Sequence, residues 1–169
     1  MAGRDSDRIR STFIKMVLEV DLKVEIIKRE EGYRRKPYYC SEGYPTIGYG
    51  LKIGRRHDVL ESYTFTMPPA IAEYWLKCHI EELEKIMANH SWYRGLNESR
   101  QAIIISMAYQ LGIGGLFKFK RMIAAIKNND FEKVKIEALD SKWAKNDTPL
   151  RSRRHADVLA TGDASIHYS

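Results

Sequence analysis

Apolar residues recur at intervals of three and four near the start of the chain, and charged residues occupy the positions between them. This period is typical of an amphipathic helix, and it predicts one helix from Asp7 to Glu31. Gly32 follows at once, and a glycine in this place often ends a helix. We therefore expect the helix to stop at Glu31 and the chain to turn there.

The pattern changes after this turn. Residues 38–50 combine aromatic, β-branched and glycine residues without the helical period. Such a composition predicts short antiparallel strands joined by tight turns. A weaker strand signal continues as far as Phe65.

Helical patterns dominate the remainder of the chain. Thr66 is placed to cap a helix whose first turn holds Pro68 and Pro69, and which reaches about Asn89. This helix is long enough to bridge two lobes. Further helices are expected from Asn97 or Ser99 to Gly112, from Phe119 to Ile126, from Asp130 to Trp143, and from Thr148 and Pro149 to about Ala160. One helix, a small sheet and then five or six helices predict an α+β fold with the sheet segregated at one end.

Length and charge add bounds to this fold. The chain has 169 residues, which is the usual size of one domain. Its formal net charge of +6 favours anionic partners such as nucleic acid, an anionic membrane or an acidic cell wall. No apolar run has the length of a membrane span, and the first residues lack a signal peptide pattern. We therefore expect a protein that is made and kept in the cytosol.

The cysteines and histidines indicate neither a disulfide scaffold nor a metal site. Two cysteines, Cys40 and Cys78, are too few for such a scaffold in a chain of this size. Cys78 falls near Ile71 and Trp75 on the bridging helix, where we expect a buried thiol, and a transient Cys40–Cys78 bond stays open. The five histidines form no cluster with metal-ligand spacing, and we expect no metal and no cofactor.

Glu31 is a candidate general acid because it lies at the C-terminal end of the first helix. The negative end of the helix dipole disfavours a carboxylate, so a proton is held more tightly there. The residues alone also allow a second interpretation, in which Glu31 is a solvated side chain beside an equally eligible Glu30.

A longer motif favours the first interpretation. Glu31 is followed after eight residues by Cys40 and after five more by Thr46, within flanking Glu-Gly and Gly-Tyr-x-Thr-Ile-Gly-x-Gly pieces. This segment resembles the active site of the phage-type lysozymes, in which glutamate, aspartate and threonine stand at this spacing on a helix end and a hairpin. Two downstream segments are also similar to that family: Ser106-Met107-Ala108-Tyr109-Gln110-Leu111-Gly112, and Ser141-Lys142-Trp143 with Thr148-Pro149-Leu150-Arg151-Ser152-Arg153-Arg154.

The resemblance covers roughly Leu22 to Ala160 and implies a lysozyme-like fold, with a cleft between a small antiparallel sheet lobe and a larger helical lobe joined by a long helix. The expected parts are an N-terminal helical extension over 1–21 and a single domain over 22–169, made of a sheet lobe at about 32–66, a bridging helix at about 67–89 and a helical lobe at about 90–169. We expect this protein to be a monomer.

The resemblance also implies roles for individual residues. Glu31 is the acid that protonates the leaving glycosidic oxygen, and Thr46 holds the attacking water or lines its site. Arg151 pairs with the catalytic glutamate and holds it in place. Positions that contact substrate fall at Lys52 and Tyr109, with Gln110 beside them.

Cys40 departs from the family, which usually carries aspartate at this position. Three interpretations stay open. The thiol can work in catalysis, as a thiolate that activates water, attacks the sugar or places negative charge near an oxocarbenium ion. It can instead be a neutral substitute beside Glu31, Thr46 and water. It can also mark a degenerate protein that binds the wall without cleaving it.

Charges near Cys40 in the sequence bear on its ionisation. Arg34, Arg35 and Lys36 favour a thiolate, whereas Glu42 opposes one. Because Thr46 is kept, we expect water activation and inversion at the anomeric carbon.

Together these resemblances imply a phage endolysin, a muramidase that hydrolyses the β-1,4 bond between N-acetylmuramic acid and N-acetylglucosamine in bacterial peptidoglycan. Such an enzyme waits in the host cytoplasm until a holin opens the membrane, and then attacks the periplasmic wall. One alternative is a catalytically weak or inactive peptidoglycan-binding module on the same fold. A second is a basic helical nucleic-acid binder, which the basic clusters at 118–121 and 151–154 allow. Because such clusters on amphipathic helices are usually solvated faces, we expect no nucleic-acid partner.

Overall fold

The computed structural model of the chain describes residues 21–169, so the extension expected over 1–21 lies outside the described residues except for Asp21. The helices are α1 (Leu22–Glu31), α2 (Pro69–Met87), α3 (Ser91–Arg94), α4 (Glu98–Leu116), α5 (Lys120–Lys127), α6 (Phe131–Leu139), α7 (Pro149–Thr161) and α8 (Ser165–Tyr168). The strands are β1 (Arg34–Tyr39), β2 (Pro45–Gly48) and β3 (Leu51–Lys52), with a 3-10 turn at Leu60–Ser62 and a π-helical turn at Trp143–Asp147. A small antiparallel sheet beside a larger helical part confirms the predicted α+β fold.

Helix α1 begins at its own cap. Asp21 is extended (φ −66°, ψ 106°), and its carboxylate accepts a hydrogen bond from the Lys23 backbone N–H at 3.0 Å. An aspartate with this geometry starts a helix and does not continue one. The predicted single helix from Asp7 to Glu31 is therefore wrong at Asp21. Its predicted end is confirmed, because Gly32 adopts φ 67° and its N–H bonds to the Lys28 carbonyl.

The sheet is a short meander in the order β1-β2-β3. Tyr38 on β1 is paired with Thr46 on β2, and Thr46 is paired in turn with Lys52 on β3. The middle strand therefore holds three residues from separate parts of the sequence side by side. The weak strand signal that extends to Phe65 is wrong, since no strand follows Lys52 in the part of the chain that the structure describes.

Helix α2 connects two hydrophobic clusters. In the first turn of this helix, Ala72 packs with Ile47 and Met67 under the sheet. Further along, Leu76 and Ile80 belong to the much larger core of the helical part. The helix starts at Pro69, where the missing N–H is tolerated, and the cap predicted at Thr66 is wrong because Pro68 occupies that place.

The outer face of α2 is more apolar than the sequence led us to expect. Cys78 is half-buried, so its prediction as a buried thiol is wrong. Ile71 and Trp75 are 51% and 50% exposed, because Leu76 and Ile80 occupy the core side of the helix.

Helix α4 is the centre of the helical core. Asn97 caps it by accepting a hydrogen bond from the Arg100 backbone N–H at 3.1 Å, which confirms one of the two predicted starts. Ile103, Ile104 and Ile105 are all fully buried, so neighbours surround the helix on every side. Gly112 (φ 72°, ψ 161°) breaks the helix where the sequence predicts a stop, but the chain turns helical again as far as Leu116.

Helices α6 and α7 follow local signals at most of their ends. Asp130 caps α6 as predicted, by accepting from the Lys133 backbone N–H at 3.1 Å. This helix ends at Leu139 and not at Trp143, which a π-helical turn carries into the core. Thr148 precedes α7 as predicted, although its side chain makes no cap bond.

Within residues 21–169, no single helix has both the length and the apolar character needed to cross a bilayer, although α4 and α5, bent by 111°, meet those criteria as a pair. Much of their apolar surface lies in the helical core.

Candidate active site

A cleft of about 630 Å³ lies between the sheet and the helical part of the molecule. Six of the seven predicted site residues line it: Glu31, Cys40, Thr46, Lys52, Tyr109 and Gln110. The seventh, Arg151, lies behind Glu31 and is buried. The rest of the lining comes from Tyr38, Ser41, Glu42, Gly50, Leu111, Lys142, Trp143, Asp147 and Thr148.

Glu31 reaches the cleft from the last position of α1. One carboxylate oxygen accepts a hydrogen bond from the Arg151 guanidinium at 2.6 Å, and the side chain is 20% exposed. The other oxygen lies against Gly50, where an added Cβ would stand only 3.2 Å away. Position 50 favours glycine for two reasons: a Cβ would crowd this carboxyl, and other residues rarely adopt a φ of 84°. The absent side chain leaves the carboxyl room to face the cleft.

Arg151 is held in place by the central helix. It donates to both the hydroxyl and the carbonyl of Ser106, at 2.9 and 3.2 Å, and its side chain is only 6% exposed. A guanidinium held by these two acceptors on α4 cannot follow a moving carboxylate. Arg151 therefore holds Glu31 at one position in the cleft.

Glu30 belongs to a different site, although it stands next to Glu31 in the sequence. Its side chain is 3% exposed, and both oxygens accept hydrogen bonds from Arg154, at 2.9 and 2.7 Å. Burial raises the pKa of Glu30, but the bonds from Arg154 and Tyr168 outweigh it, and the net pKa is lowered. Of these two neighbouring carboxyls, only Glu31 lines the cleft.

Cys40 lies at the start of a tight turn and lines the same cleft as Glu31. Partial burial raises the pKa of its thiol. Hydrogen bonds to the sulfur from the backbone N–H groups of Tyr44 and Glu42 oppose this, and the Thr46 hydroxyl and the Lys52 charge add to them. The net pKa of Cys40 is therefore lowered, which favours the thiolate.

Thr46 is buried on the middle strand, below this turn. Its hydroxyl donates to the Tyr44 carbonyl at 2.8 Å. The same hydroxyl also lowers the pKa of Cys40, so its single hydrogen serves either the Tyr44 carbonyl or the sulfur at any one time. In either case the lone pairs of Thr46 remain as acceptors.

The cation beside Cys40 is not one of those favoured by the sequence. Lys52 acts on the thiol because the sheet register brings β3 against Thr46. Its ammonium also pairs with Glu42 at 2.5 Å and lies 4.4 Å from the centre of the Tyr44 ring. The Lys52 ammonium thus interacts with both the Glu42 carboxylate and the Cys40 sulfur.

Tyr109 and Gln110 form the floor of the cleft on the helical side. Tyr109 donates to the Tyr49 carbonyl at 2.5 Å, and burial together with Glu31 raises the pKa of its phenol well above the ordinary value. Gln110 accepts from the Trp143 indole N–H at 2.9 Å and donates to the Thr148 hydroxyl at 3.3 Å. The Gln110 amide is therefore fixed at both ends and keeps one N–H for another partner.

The sequence did not single out Tyr38, and it used Trp143 only as part of a family match. Burial raises the pKa of Tyr38, and the charges of Glu31 and Cys40 raise it further, so its phenol stays neutral near both groups. The alternation of residues on β1, together with the position of Thr46, is the signal that could have placed Tyr38 here.

A second cavity of about 600 Å³ adjoins the cleft, and the two share Leu111, Lys142, Trp143 and Asp147. The cleft is thus part of a longer groove, of a size that suits a polymer. Among residues 21–169, no three His, Cys, Asp or Glu side chains are grouped as a metal site. The cleft offers an acid, a sulfur and hydrogen-bonding groups.

Several known proteins are similar to this chain in sequence. The family model described as phage lysozyme matches residues 28–157. The pre-baseplate central spike protein Gp5 of Enterobacteria phage T4 is 30% identical over 161 residues, which cover 82% of this chain but 28% of the spike protein. Two probable T4-type lysozymes of Dictyostelium discoideum are each 26% identical, over 85% and 82% of this chain and 96% and 93% of their own lengths. The chain therefore spans less than a third of the spike protein and nearly all of the two lysozymes.

Proposed function

Because the chain belongs to the phage lysozyme family, we propose that it is a muramidase that hydrolyses the β-1,4 bond between N-acetylmuramic acid and N-acetylglucosamine in peptidoglycan. The observation that carries this proposal is the cleft itself. A carboxyl held by a buried arginine and a sulfur in a hydrogen-bonding turn line the same groove, with a buried threonine hydroxyl between the strands. Glycoside hydrolysis needs two groups of this kind on opposite sides of the scissile bond.

The acid step falls to Glu31. Its proton passes to the glycosidic oxygen as the bond from that oxygen to the anomeric carbon breaks, so the leaving sugar departs as an alcohol. Arg151 keeps the carboxyl aimed at that oxygen and then stabilises the carboxylate that remains.

The opposite face falls to Cys40 and Thr46. A water that donates one hydrogen to the Thr46 oxygen and the other to the Cys40 thiolate directs its lone pair at the anomeric carbon. As the new carbon–oxygen bond forms, the thiolate takes the water's proton, and the product is inverted. Bulk water then returns a proton to Glu31 and removes one from Cys40.

The proposed biological role is that of an endolysin, which degrades the wall of an infected bacterium after a holin has opened the membrane. The basic charge of the chain suits the anionic polymers of such walls. The rival role is a wall-binding module without activity. It is favoured by one observation, the cysteine at the position where the family usually has aspartate.

A turbidity assay on permeabilised bacteria separates these roles. We expect the wild-type chain to clear the suspension and Glu31→Gln to lose activity by at least about a hundredfold, since a general acid contributes at least that much. If wild type and Glu31→Gln are equally inert while both bind purified walls, the binding module is the correct function.

The role of the sulfur needs its own test. Cys40→Asp should retain lysis, whereas Cys40→Ala or alkylation of the wild type should abolish it. Cys78→Ser is the matched control, because it removes the other thiol, which is outside the cleft. Full activity of Cys40→Ala would exclude the thiol from the mechanism. An anomer-resolved NMR time course on a defined glycan tests inversion, and a retained β-product would contradict it.

A further inference from the structure

A line of buried polar groups runs behind the cleft from Arg151 to Glu30. The Ser106 hydroxyl lies 2.9 Å from the Arg151 guanidinium and 2.9 Å from Nε2 of His155. On the other side of the ring, Nδ1 of His155 lies 2.9 Å from the Tyr168 hydroxyl, which donates to Glu30 at 2.6 Å. Ser106 and His155 are fully buried. The proposed mechanism uses none of the three groups between the two ends.

The ends of this line determine the direction of every hydrogen bond in it. Arg151 can only donate, so the Ser106 oxygen accepts there and its single hydrogen is free to point at His155. The Glu30 carboxylate can only accept, so the Tyr168 hydrogen points at Glu30 and the Tyr168 oxygen must accept from His155. His155 therefore carries its proton on Nδ1 and offers the bare Nε2 to Ser106.

The surroundings of His155 agree with a neutral ring. Burial lowers the pKa of His155 well below its ordinary value, and the positive charges of Arg151 and Arg154 lower it further. A neutral imidazole has one donor and one acceptor nitrogen, which is what the two neighbouring hydroxyls require.

We propose that His155 is a positioning residue which, together with Ser106 and Tyr168, fixes the orientation of Arg151 and thereby of Glu31. By accepting the Ser106 hydrogen, His155 turns the lone pairs of that hydroxyl towards Arg151. Ser106 lies on α4, whereas Arg151 and His155 lie one turn apart on α7, so the contact also ties these helices together directly behind Glu31. This inference rests on the proposed function of Glu31 as the general acid.

Two variants break the line without removing a charged group. Tyr168→Phe deletes the oxygen that selects the tautomer of His155, and Ser106→Ala deletes the hydroxyl between His155 and Arg151. We expect each to lower kcat on soluble peptidoglycan oligomers by about three- to tenfold, the worth of one hydrogen bond, with KM unchanged within about twofold. Tyr93→Phe is the matched control and should leave kcat unchanged, because the buried Tyr93 hydroxyl has no partner among residues 21–169.

A spectroscopic readout tests the proton assignment independently of activity. Nitrogen-15 NMR of the histidine rings should show His155 as the neutral Nδ1–H tautomer from pH 5 to 8, and Tyr168→Phe should shift it towards a mixture. A charged ring or the Nε2–H tautomer in the wild type would overturn the inference. So would variants that lower the melting temperature but keep kcat at the wild-type value.

The two proposals fail in different ways. If wild type and Glu31→Gln are equally inert, the proposed function is wrong and the positioning role falls with it, whatever the tautomer. If wild type is active and Glu31→Gln is not, yet Ser106→Ala and Tyr168→Phe match the wild type, only the inference is wrong.

Discussion

Glu31 and Cys40 stand on two walls of one cleft that are held in different ways. Behind Glu31, a buried arginine, a serine and a histidine join α1, α4 and α7 within the main hydrophobic core. Behind Cys40 there is a hairpin turn whose strands rest on a cluster of three buried apolar side chains, Ile47, Met67 and Ala72. The carboxyl is positioned by side chains, whereas Cys40 is positioned by the backbone of its turn, in which its N–H donates to the Tyr44 carbonyl and its carbonyl accepts from Gly43.

This difference between the supports of Glu31 and Cys40 predicts how strongly substitutions near each of them affect activity and stability. On the carboxyl wall, a single side chain fixes either the geometry of Glu31 or the stability of the core, and we expect its loss to have a large effect. On the sulfur wall, the backbone of the turn persists when side chains change. Substitutions there should alter the reactivity of the thiol by small factors.

The largest effect is expected at Arg151. Arg151→Met removes the group that holds Glu31, and we expect wall clearing per folded molecule to fall by about a hundredfold, since a misplaced catalytic group loses about that much. Arg154→Met is the matched control one turn away, because Arg154 pairs with Glu30 outside the cleft. It should lower the melting temperature but reduce activity per folded molecule by no more than about tenfold, the loss expected when the line behind Arg151 is disturbed. Equal activity losses in the two variants would mean that the Arg151–Glu31 pair matters no more for activity than the Arg154–Glu30 pair.

A smaller effect is expected in the acid stability of the carboxyl wall. The pKa of Glu30 is lower in the folded chain than its ordinary value, so its contribution is present above the unfolded pKa and is lost as pH falls through the folded one. Glu30→Gln should therefore lower stability at pH 7 by about 2 kcal/mol, or roughly 4–8 °C in Tm.

The difference between wild type and Glu30→Gln should shrink steadily below about pH 4, where the wild-type carboxylate takes up its proton. Thermal unfolding of the two proteins from pH 7 to pH 3 measures this. A difference that stays constant over that range would mean that folding does not lower the pKa of Glu30.

The smallest effect is expected on the sulfur wall. In a Cys78→Ser background, Lys52→Met should raise the pKa of Cys40 and slow its alkylation at pH 7 by about threefold, as expected for an exposed charge. Glu42→Gln should act in the opposite direction, because it releases the Lys52 charge from its partner. If both variants change the rate in the same direction, Lys52 does not set the ionisation of the thiol.

Much of the fold could be predicted because many helix ends have local causes. Gly32 and Asp130 act within one turn of themselves, and the sequence places both correctly. Thr66 has a suitable side chain for a cap, but two prolines shift the start of α2 beyond its reach. The end of α6 was missed because tertiary packing, not local preference, draws Trp143 into the core.

The candidate site divides in the same way. The spacing of Glu31, Cys40 and Thr46 lies within one helix end and hairpin, so the sequence could bring these residues together. The position of Lys52 depends on the register of the sheet. Ser106 and His155, which are in contact on two different helices, are 49 positions apart in the sequence. Contacts of this kind are invisible to local patterns, because only the folded core brings them together.

The bond between Glu31 and Arg151 closes a loop of 120 residues. Closing so long a loop is entropically unfavourable until most of the chain between its ends has found its place. We therefore expect Glu31 to acquire its partner late in folding, together with the packing of α7 on α4. A partly folded or locally opened chain would carry every residue of the proposed mechanism and still lack an aligned Glu31, so the proposed hydrolysis would report on the integrity of the whole helical core.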